Sequence, residues 1–319
     1  MSKNNVKQDI AAYRIWCKEQ KHLPIFFQDW WLDIVSEDGD WDAMLYYHRP
    51  DVVSVFPFFY KKKGSLSYLC MPPFTKFLGP FFMGGLSDVK KQSILQAFLA
   101  ALPTFDSYDI NVHYSTKNCL PFIWNEFEEK VHYSYVLENV NNLESCWEGL
   151  AADYRNNKIP RAKGLVKVVE AEDVQSLTAF FIGPFERKGI AQTIDPGILG
   201  RLIPTCIGRG QGQVFQAIDS DGRIHAAAFV VWDNMNAKLL LMADDPGLRS
   251  SGAGIYLIWQ LIEYAHYVLQ VSEFDFLGSM IPGVERVRRS FGARQRKYSY
   301  LHKASKSFRI LKTIKNWLS

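Results

Sequence analysis

The sequence predicts a mixed α/β (α+β) chain folded as two tandem lobes, each with a mixed central sheet flanked by helices. Three observations carry this. The chain has 319 residues, which at roughly 150 per domain gives about two domains. β-prone runs alternate with segments of helical spacing in both halves, which points to sheets covered by helices. A stretch near Asn141 separates the two series, so the expected lobes are residues 1–142 and 143–319.

The first lobe opens with a predicted helix over Asp9–Glu19, followed by the aromatic segment Ile25–Trp31 and a short helix ending near Val35. Val52–Tyr60 is rich in Val, Phe and Tyr, and Lys61–Ser65 with Gly64 turns it into Leu66–Met71, a hairpin pattern. Pro72, Pro73, Gly79, Pro80, Gly84 and Gly85 make the next stretch a loop. Asp88–Leu102 places Ile94, Leu95, Phe98 and Leu102 on one helical face. Tyr108–Tyr114 and Ser134–Leu137 read as strands. In the second lobe, Leu143–Ala162 reads as a helix stopped or kinked at Pro160. Strand Leu165–Val169, helix Val174–Phe181 and helix Gly197–Ile207 come next. Gln213–Ile218 and Ile224–Trp232 pair across the Asp221-Gly222 turn. Strand Lys238–Met242, a long helix from Gly254 to about Leu269, strand Phe274–Leu277, helix Gly283–Phe291 and strand Tyr298–His302 complete the series.

Composition narrows the class. Hydrophobic residues are 48% and charged residues 22%, too apolar for a disordered chain. No apolar run approaches the ~18 residues that span a bilayer. Met1–Ile10 has no apolar stretch behind it, so no secretory signal is read. Cys17, Cys70, Cys119, Cys146 and Cys206 are odd in number and scattered, without a C-x-x-C pair. That pattern fits a reduced, cytoplasmic chain with no disulfide framework, and no metal-ligand cluster is visible. The net charge of +4 is unevenly spread: residues 285–319 hold eleven Lys/Arg against one acid, and the remainder is net negative. A basic C-terminal stretch suits a polyanionic partner such as a phosphorylated substrate, tRNA or an anionic membrane, and equally suits a solvated basic surface. Phe308–Leu318 reads as a basic amphipathic helix, offering either a peripheral contact with the inner membrane face or a packing face for the chain's own body.

The most informative segment is Leu239–Leu269. A strand leads through Ala243-Asp244-Asp245-Pro246 into Arg249-Ser250-Ser251-Gly252-Ala253-Gly254 and then a long apolar helix. Arg-x-x-Gly-x-Gly between strand and helix gathers backbone N–H groups and the positive end of a helix dipole, a place for a pyrophosphate. It is neither a Walker A loop nor the dinucleotide fingerprint. The same residues also suit a strand-to-helix turn that holds no ligand.

This loop resembles the acyl-CoA pyrophosphate loop of the GNAT acetyltransferases. Phe274-Asp275-Phe276-Leu277-Gly278-Ser279 with Gly283-Val284-Glu285-Arg286 and Ser290-Phe291-Gly292-Ala293 resembles the C-terminal signature of FemABX-like proteins, which are tandem GNAT folds. Arg155–Gly164 is similar to their basic segment. Pro24–Asp33, Met71-Pro72-Pro73 and Leu78-Gly79-Pro80 are similar to the subgroup found beside envelope-polysaccharide genes. The likeness runs from about Leu23 to His302. It implies two GNAT-like lobes and transfer of acyl or aminoacyl groups to amines; members that lengthen peptidoglycan bridges use aminoacyl-tRNA. The long helical arm of some bridge-forming members has no counterpart here, and the Arg249–Gly254 loop is closer to the CoA-binding pattern, so both departures lean towards a thioester donor.

The implied reaction requires a positioned amine and carbonyl, a proton acceptor and a stabilised oxyanion. Candidate catalytic residues are Asp244 and Asp245 beside the loop, His225 on a strand, and Ser279 and Tyr298 as donors to the leaving thiolate or oxyanion. Each also has an ordinary structural role open to it: a polar turn for the aspartates, strand packing for His225. Gln28, Trp30 and Trp31 are candidates for an acceptor-stacking wall or for core packing. Arg155, Lys158 and Arg161, at helical spacing of three, are candidates for an acceptor diphosphate or for an exposed charged face. The expected function is N-acyl transfer from acetyl-CoA or another acyl-CoA, used as co-substrate without a metal, to a small-molecule or lipid-linked amine on an amino sugar or envelope precursor. The rivals are aminoacyl transfer from tRNA to a peptidoglycan precursor, and a degenerate, non-catalytic GNAT binding module.

Overall fold

The computed structural model describes residues 5–48, 50–171, 178–183, 195–278 and 280–310. The chain divides into two compact units, Met1–His132 with Lys297–Ser319, and Tyr133–Arg296.

The strands of unit 1 are β1 (Val6–Gln8), β2 (Asp40–His48), β3 (Asp51–Lys63), β4 (Leu66–Cys70), β5 (Phe81–Phe82) and β6 (Ser107–Asn111). β7 (Glu128–Leu137) begins in this unit. The sheet runs β1-β2-β3-β4-β6, followed by the last strand of the chain, Arg294–Ala304, antiparallel to β6. All these neighbours are antiparallel except β4 and β6. The hairpin expected around Gly64 forms β3 and β4, with Gly64 at φ +61. Pro57 lies inside β3 but between the stretch facing β5 and the stretch facing β4, where a missing N–H breaks no ladder on that edge. Helix Ile10–Glu19 is capped by Asp9, which accepts from Ala12 N at 2.9 Å. Helix Asp88–Ala101 buries Ile94, Leu95 and Phe98, as its spacing predicts. The interior is aromatic: Tyr13, Phe26, Phe27, Trp31, Phe56, Phe58, Phe59, Phe77 and Phe98 are all fully enclosed. β1, β2, β5 and the short helix Leu120–Trp124 are elements the sequence reading did not find.

Unit 2 contains the end of β7, then β8 (Lys167–Glu170), β9 (Gly212–Ile218), β10 (Ile224–Trp232), β11 (Asn236–Asp244) and β12 (Glu273–Asp275), ordered β7-β12-β11-β10-β9-β8. Only β11 and β12 are parallel to each other. The final strand is β13 (Arg294–Ala304). The single helix expected over Leu143–Ala162 is instead two runs: Leu143–Glu148 and, after an interruption at 149–151, a helical run whose π-turn Tyr154–Lys158 passes directly into Ile159–Lys163. Pro160 does not stop this second run: the backbone at Lys158 and Ile159 stays right-handed helical up to it, and the interruption lies before it, at 149–151. The long helix covers Ala253–Tyr264 and ends in a π-turn, Ala265–Leu269. Its apolar face packs with Ala226, Ala228 and Val230 of β10 and with Phe274. Strand Phe274–Leu277 stops at Asp275 because Leu277 (φ +53) and Gly278 (φ +68) both leave the β region. Of the expected helix Val174–Phe181, residues 178–183 are helical and 174–177 lie outside the described residues. Of Phe308–Leu318, only Phe308–Ile310 is described; Ser305 caps this turn by accepting from Phe308 N at 3.2 Å. No helix among the described residues is long and apolar enough to cross a membrane.

Candidate functional site

The site is built where two parallel strands part. β11 and β12 pair from Asn236↔Glu273 to Lys238↔Asp275 and no further. Beyond that point the chain after β12 turns towards β7, with Phe276 N donating to Tyr135 O at 2.9 Å. β11 continues through Leu239–Asp244 with β10 as its one strand partner among the described residues. Six residues of extended backbone, about 20 Å, thus face a fork rather than a neighbour. Such an edge offers N–H and C=O groups to an incoming amide chain.

At the open end of the fork β11 leads into the glycine-rich loop. Asp245 Oδ1 accepts from Gly247 N (2.7 Å) and Leu248 N (3.1 Å), fixing the turn. Arg249–Ser251 forms one 3-10 turn, and Gly252, at φ +77, reverses the chain into helix Ala253–Tyr264. A side chain at Gly252 would press on Lys158 O, 3.3 Å from its Cβ position, so the loop rests on the π-turn Tyr154–Lys158. A Cβ on Gly254 would collide with Asp244 Oδ1. The first turn of the helix carries no acidic residue, and Arg249 is exposed beside it. Helix dipole and guanidinium therefore make the loop attractive to an anion. Burial pushes the Asp244 carboxyl above its ordinary range, with Arg249 opposing.

The structure brings Asp244, Asp245, Arg249, Ser250, Ser251, Gly252, Ala253, Gly254 and Lys158 to this end of unit 2. The Lys158 ammonium pairs with Asp153 at 3.1 Å and lies over the Tyr154 ring. Arg155 donates to Glu148 O at 2.8 Å, and Arg161 is exposed. His225 joins through its backbone, its O accepting from Asp245 N at 2.9 Å. Its side chain, at a bulge in β10, is engaged with Asp219: Nε2 lies 3.1 Å from Asp219 Oδ2, and Nδ1 is buried without a hydrogen-bond partner. The His225 hydrogen bond, with the bonds and charge of Arg223, holds Asp219 well below the carboxylate range.

The remaining candidates lie elsewhere. Tyr298 belongs to unit 1, where its buried ring meets Phe77 and carries the Lys76 ammonium 4.9 Å from its centroid. Trp31 is fully enclosed in unit 1 and donates to Thr75 Oγ1 at 2.9 Å; Trp30 is edge-on to it and also buried. Gln28 donates to Leu23 O at 3.2 Å. The tryptophan pair is thus part of the core and presents no ring face to solvent. Ser279 lies outside the described residues.

The structure adds residues the sequence reading did not single out for chemistry. At the crotch of the fork are Lys238 and Asp275, both buried. The Lys238 ammonium sits 2.5 Å from Asp233 Oδ2 and also donates to Asn236 Oδ1. Burial pushes Asp233 up, but Lys238 and the N–H groups of Met235 and Asn236 outweigh it and hold it low. The available signal was one charged residue in each of two apolar runs, Ala237-Lys238-Leu239 and Phe274-Asp275-Phe276.

Comparison with known proteins agrees with this architecture. A family model described as an acetyltransferase (GNAT) domain matches residues 154–286, which include β11, the loop, the long helix and β12. No curated protein matches the sequence. Among solved structures, FemX is similar over 92% of this chain and 96% of its own, with TM-score 0.68 and 12% identity. A conserved protein of unknown function from Bacteroides thetaiotaomicron VPI-5482 is similar over 94% of this chain and 99% of its own (TM-score 0.57, 14% identity). A tandem GNAT protein from the clavulanic acid biosynthesis pathway is similar over 85% and 92%, at TM-score 0.54 and 10% identity. Residues 154–286 are therefore a GNAT acetyltransferase domain, carried in a chain with the fold of FemX and of a tandem GNAT protein.

Proposed function

We propose that the chain is an N-acyltransferase that moves an acyl group from acyl-CoA to an amine, on an amino sugar or a cell-envelope precursor. The observation that carries the reading is the fork itself. Parallel strands part after Lys238 and Asp275, and the free edge of β11 leads to an anion-attracting helix start. A CoA thioester has the matching parts in the matching order: a diphosphate, an extended arm with two amides, and a reactive carbonyl at the far end.

In this reading Arg249 and the loop backbone from Ser250 to Gly254 hold the diphosphate, and the edge of Leu239–Asp244 pairs with the amides of the arm. Asp244 then packs under the loop at the phosphate end, and Asp245 shapes the turn. The acyl carbon falls at the crotch of the fork, one arm-length from both. Holding amine and carbonyl together there removes the entropy cost of their meeting, which is the principal service such a site gives a reactive thioester.

A second donor, aminoacyl-tRNA, is favoured by one observation. Helix Pro282–Ser290 and the residue run after it expose Arg286, Arg289 and Arg294, a cationic surface that suits a polyanion. The test is thiol release from acetyl-CoA in the presence of amino sugars, run beside aminoacyl transfer from charged tRNA to the same acceptors. Saturable, amine-dependent thiol release supports the proposal. Transfer from tRNA alone moves the donor assignment to tRNA, and binding without turnover leaves a binding module.

A further inference from the structure

We propose that Asp275 is the carboxylate that takes the proton of the attacking amine. The inference rests on the thioester reading of the fork and adds the group that does its proton chemistry. Asp275 is fully buried. Its Oδ1 is committed, accepting from the Ser134 hydroxyl at 2.5 Å and from Leu277 N at 2.8 Å. Its Oδ2 is enclosed and has no hydrogen-bond partner. Buried polar atoms are almost always paired, so a lone carboxylate oxygen calls for an explanation in function.

Its position supplies one. Asp275 is the last residue of β12 that pairs with β11, so its carboxyl stands at the crotch where the strands part. Two consecutive left-handed residues, Leu277 and Gly278, hold the backbone that clamps Oδ1. Gly278 runs so close to Tyr133 O and Ser134 that a Cβ there has no room. Strained backbone of this kind persists where the surroundings over-determine it, commonly beside reacting groups.

The charges that face the carboxyl come from two other strands, and both have partners of their own. Lys238 on β11 is held by Asp233 and Asn236. Arg296 on β13 is held by Glu138 and Glu273, at 3.0 and 2.8 Å. Burial pushes Asp275 above the carboxylate range, against the bonds from Ser134 and Leu277 and the charges of Lys238 and Arg296. That is the direction a proton acceptor for an ammonium group needs, because a base of ordinary carboxylate strength binds the proton too weakly.

The step balances without a further reactant. The acceptor arrives as an ammonium ion and passes one proton to Asp275 Oδ2. The freed lone pair attacks the thioester carbonyl, forming the C–N bond. Collapse of the tetrahedral adduct breaks the C–S bond, and the second proton of the nitrogen leaves with the thiolate as the thiol. Asp275 then returns its proton to water. Because the carboxyl is enclosed, the amine meets it when an entering thioester spreads β11 from β12, so proton transfer waits for the donor.

The test compares the full-length chain with Asp275→Asn, which keeps the shape and the Oδ1 acceptor. Acetyl-CoA is the donor, glucosamine and hydroxylamine are the amine probes, and CoA binding is followed separately by calorimetry. The expected result is CoA affinity within twofold of wild type, kcat lower by on the order of 100-fold, and loss of the acid limb of the kcat/KM profile. Retained kcat with an unchanged acid limb overturns the proposal. Ser134→Ala covers the case in which the asparagine variant does not fold. Removing a donor to the ionised carboxylate moves the acid limb to higher pH, whereas an unmoved limb overturns the assignment. Wild type that binds no CoA refutes the thioester reading, and binding without thiol release to either amine refutes the proton role.

Discussion

The two units bury different chemistry. Unit 1 is filled with aromatic rings, and among its described residues no Asp, Glu, Lys or Arg is buried. Unit 2 has Ala226, Ala227 and Ala228 in its central strand and encloses Asp233, Lys238 and Asp275 next to it. Ring packing is bought with shape alone, whereas a buried charge must be matched partner by partner or it weakens the fold. The contrast teaches where to look for function: unit 1 encloses rings and, among its described residues, no carboxylate, and the buried carboxyl with an unpaired oxygen lies at the fork of unit 2.

The sharpest way to break the contrast is to empty one side of it. Trp31→Ala removes a fully enclosed ring and leaves Thr75 without its donor, at a cost of about 3–5 kcal/mol. Chemical denaturation followed by tryptophan fluorescence checks it, and a loss below about 1 kcal/mol contradicts the core assignment. In unit 2, Lys238→Met keeps the volume and strands Asp233 as a lone buried charge. The expected loss, about 3–5 kcal/mol, is as large as that of a whole indole although the packing is conserved. The double change with Asp233→Leu recovers most of it if the cost is electrostatic.

A smaller effect sharpens the same comparison through pH. With its pKa raised in the folded chain, Asp275 binds more protons folded than unfolded. Its contribution is therefore present below the ordinary carboxylate pKa and is lost as pH rises through the folded value. Asp275→Asn removes this decline, so the variant gains stability over wild type towards neutral pH. Parallel stability curves for the two proteins contradict the raised pKa.

Much of this fold is legible in the sequence, for physical reasons that differ by element. The Arg249–Gly254 loop declares itself because backbone conformation at Gly252 and close approach at Gly254 admit little else. Helix Asp88–Ala101 shows its buried face as a period. β2 was hidden because Ala43–Tyr46 is covered on both faces and shows no alternation. The break within Leu143–Ala162 was hidden because it falls at 149–151, around Gly149, rather than at Pro160, the stronger helix breaker in the sequence. Tyr298 and Trp31 have residue types that suit a site, and their burial is a tertiary fact that no local pattern carries. Asp275 was visible as a residue in Phe274-Asp275-Phe276, but its role depends on Ser134, far away in sequence, and on where β11 and β12 separate.

In the proposed function, unit 2 takes an acyl-CoA with its diphosphate on the Arg249–Gly254 loop. The direct measurement is calorimetric titration of CoA into the full-length chain and into Arg249→Glu, whose exposed side chain bears little on folding. A charge-assisted phosphate contact is worth about 1.5–3 kcal/mol, so the account predicts saturable binding that weakens by roughly 10- to 100-fold in the variant. Equal affinity in both proteins, or no binding to either, contradicts it.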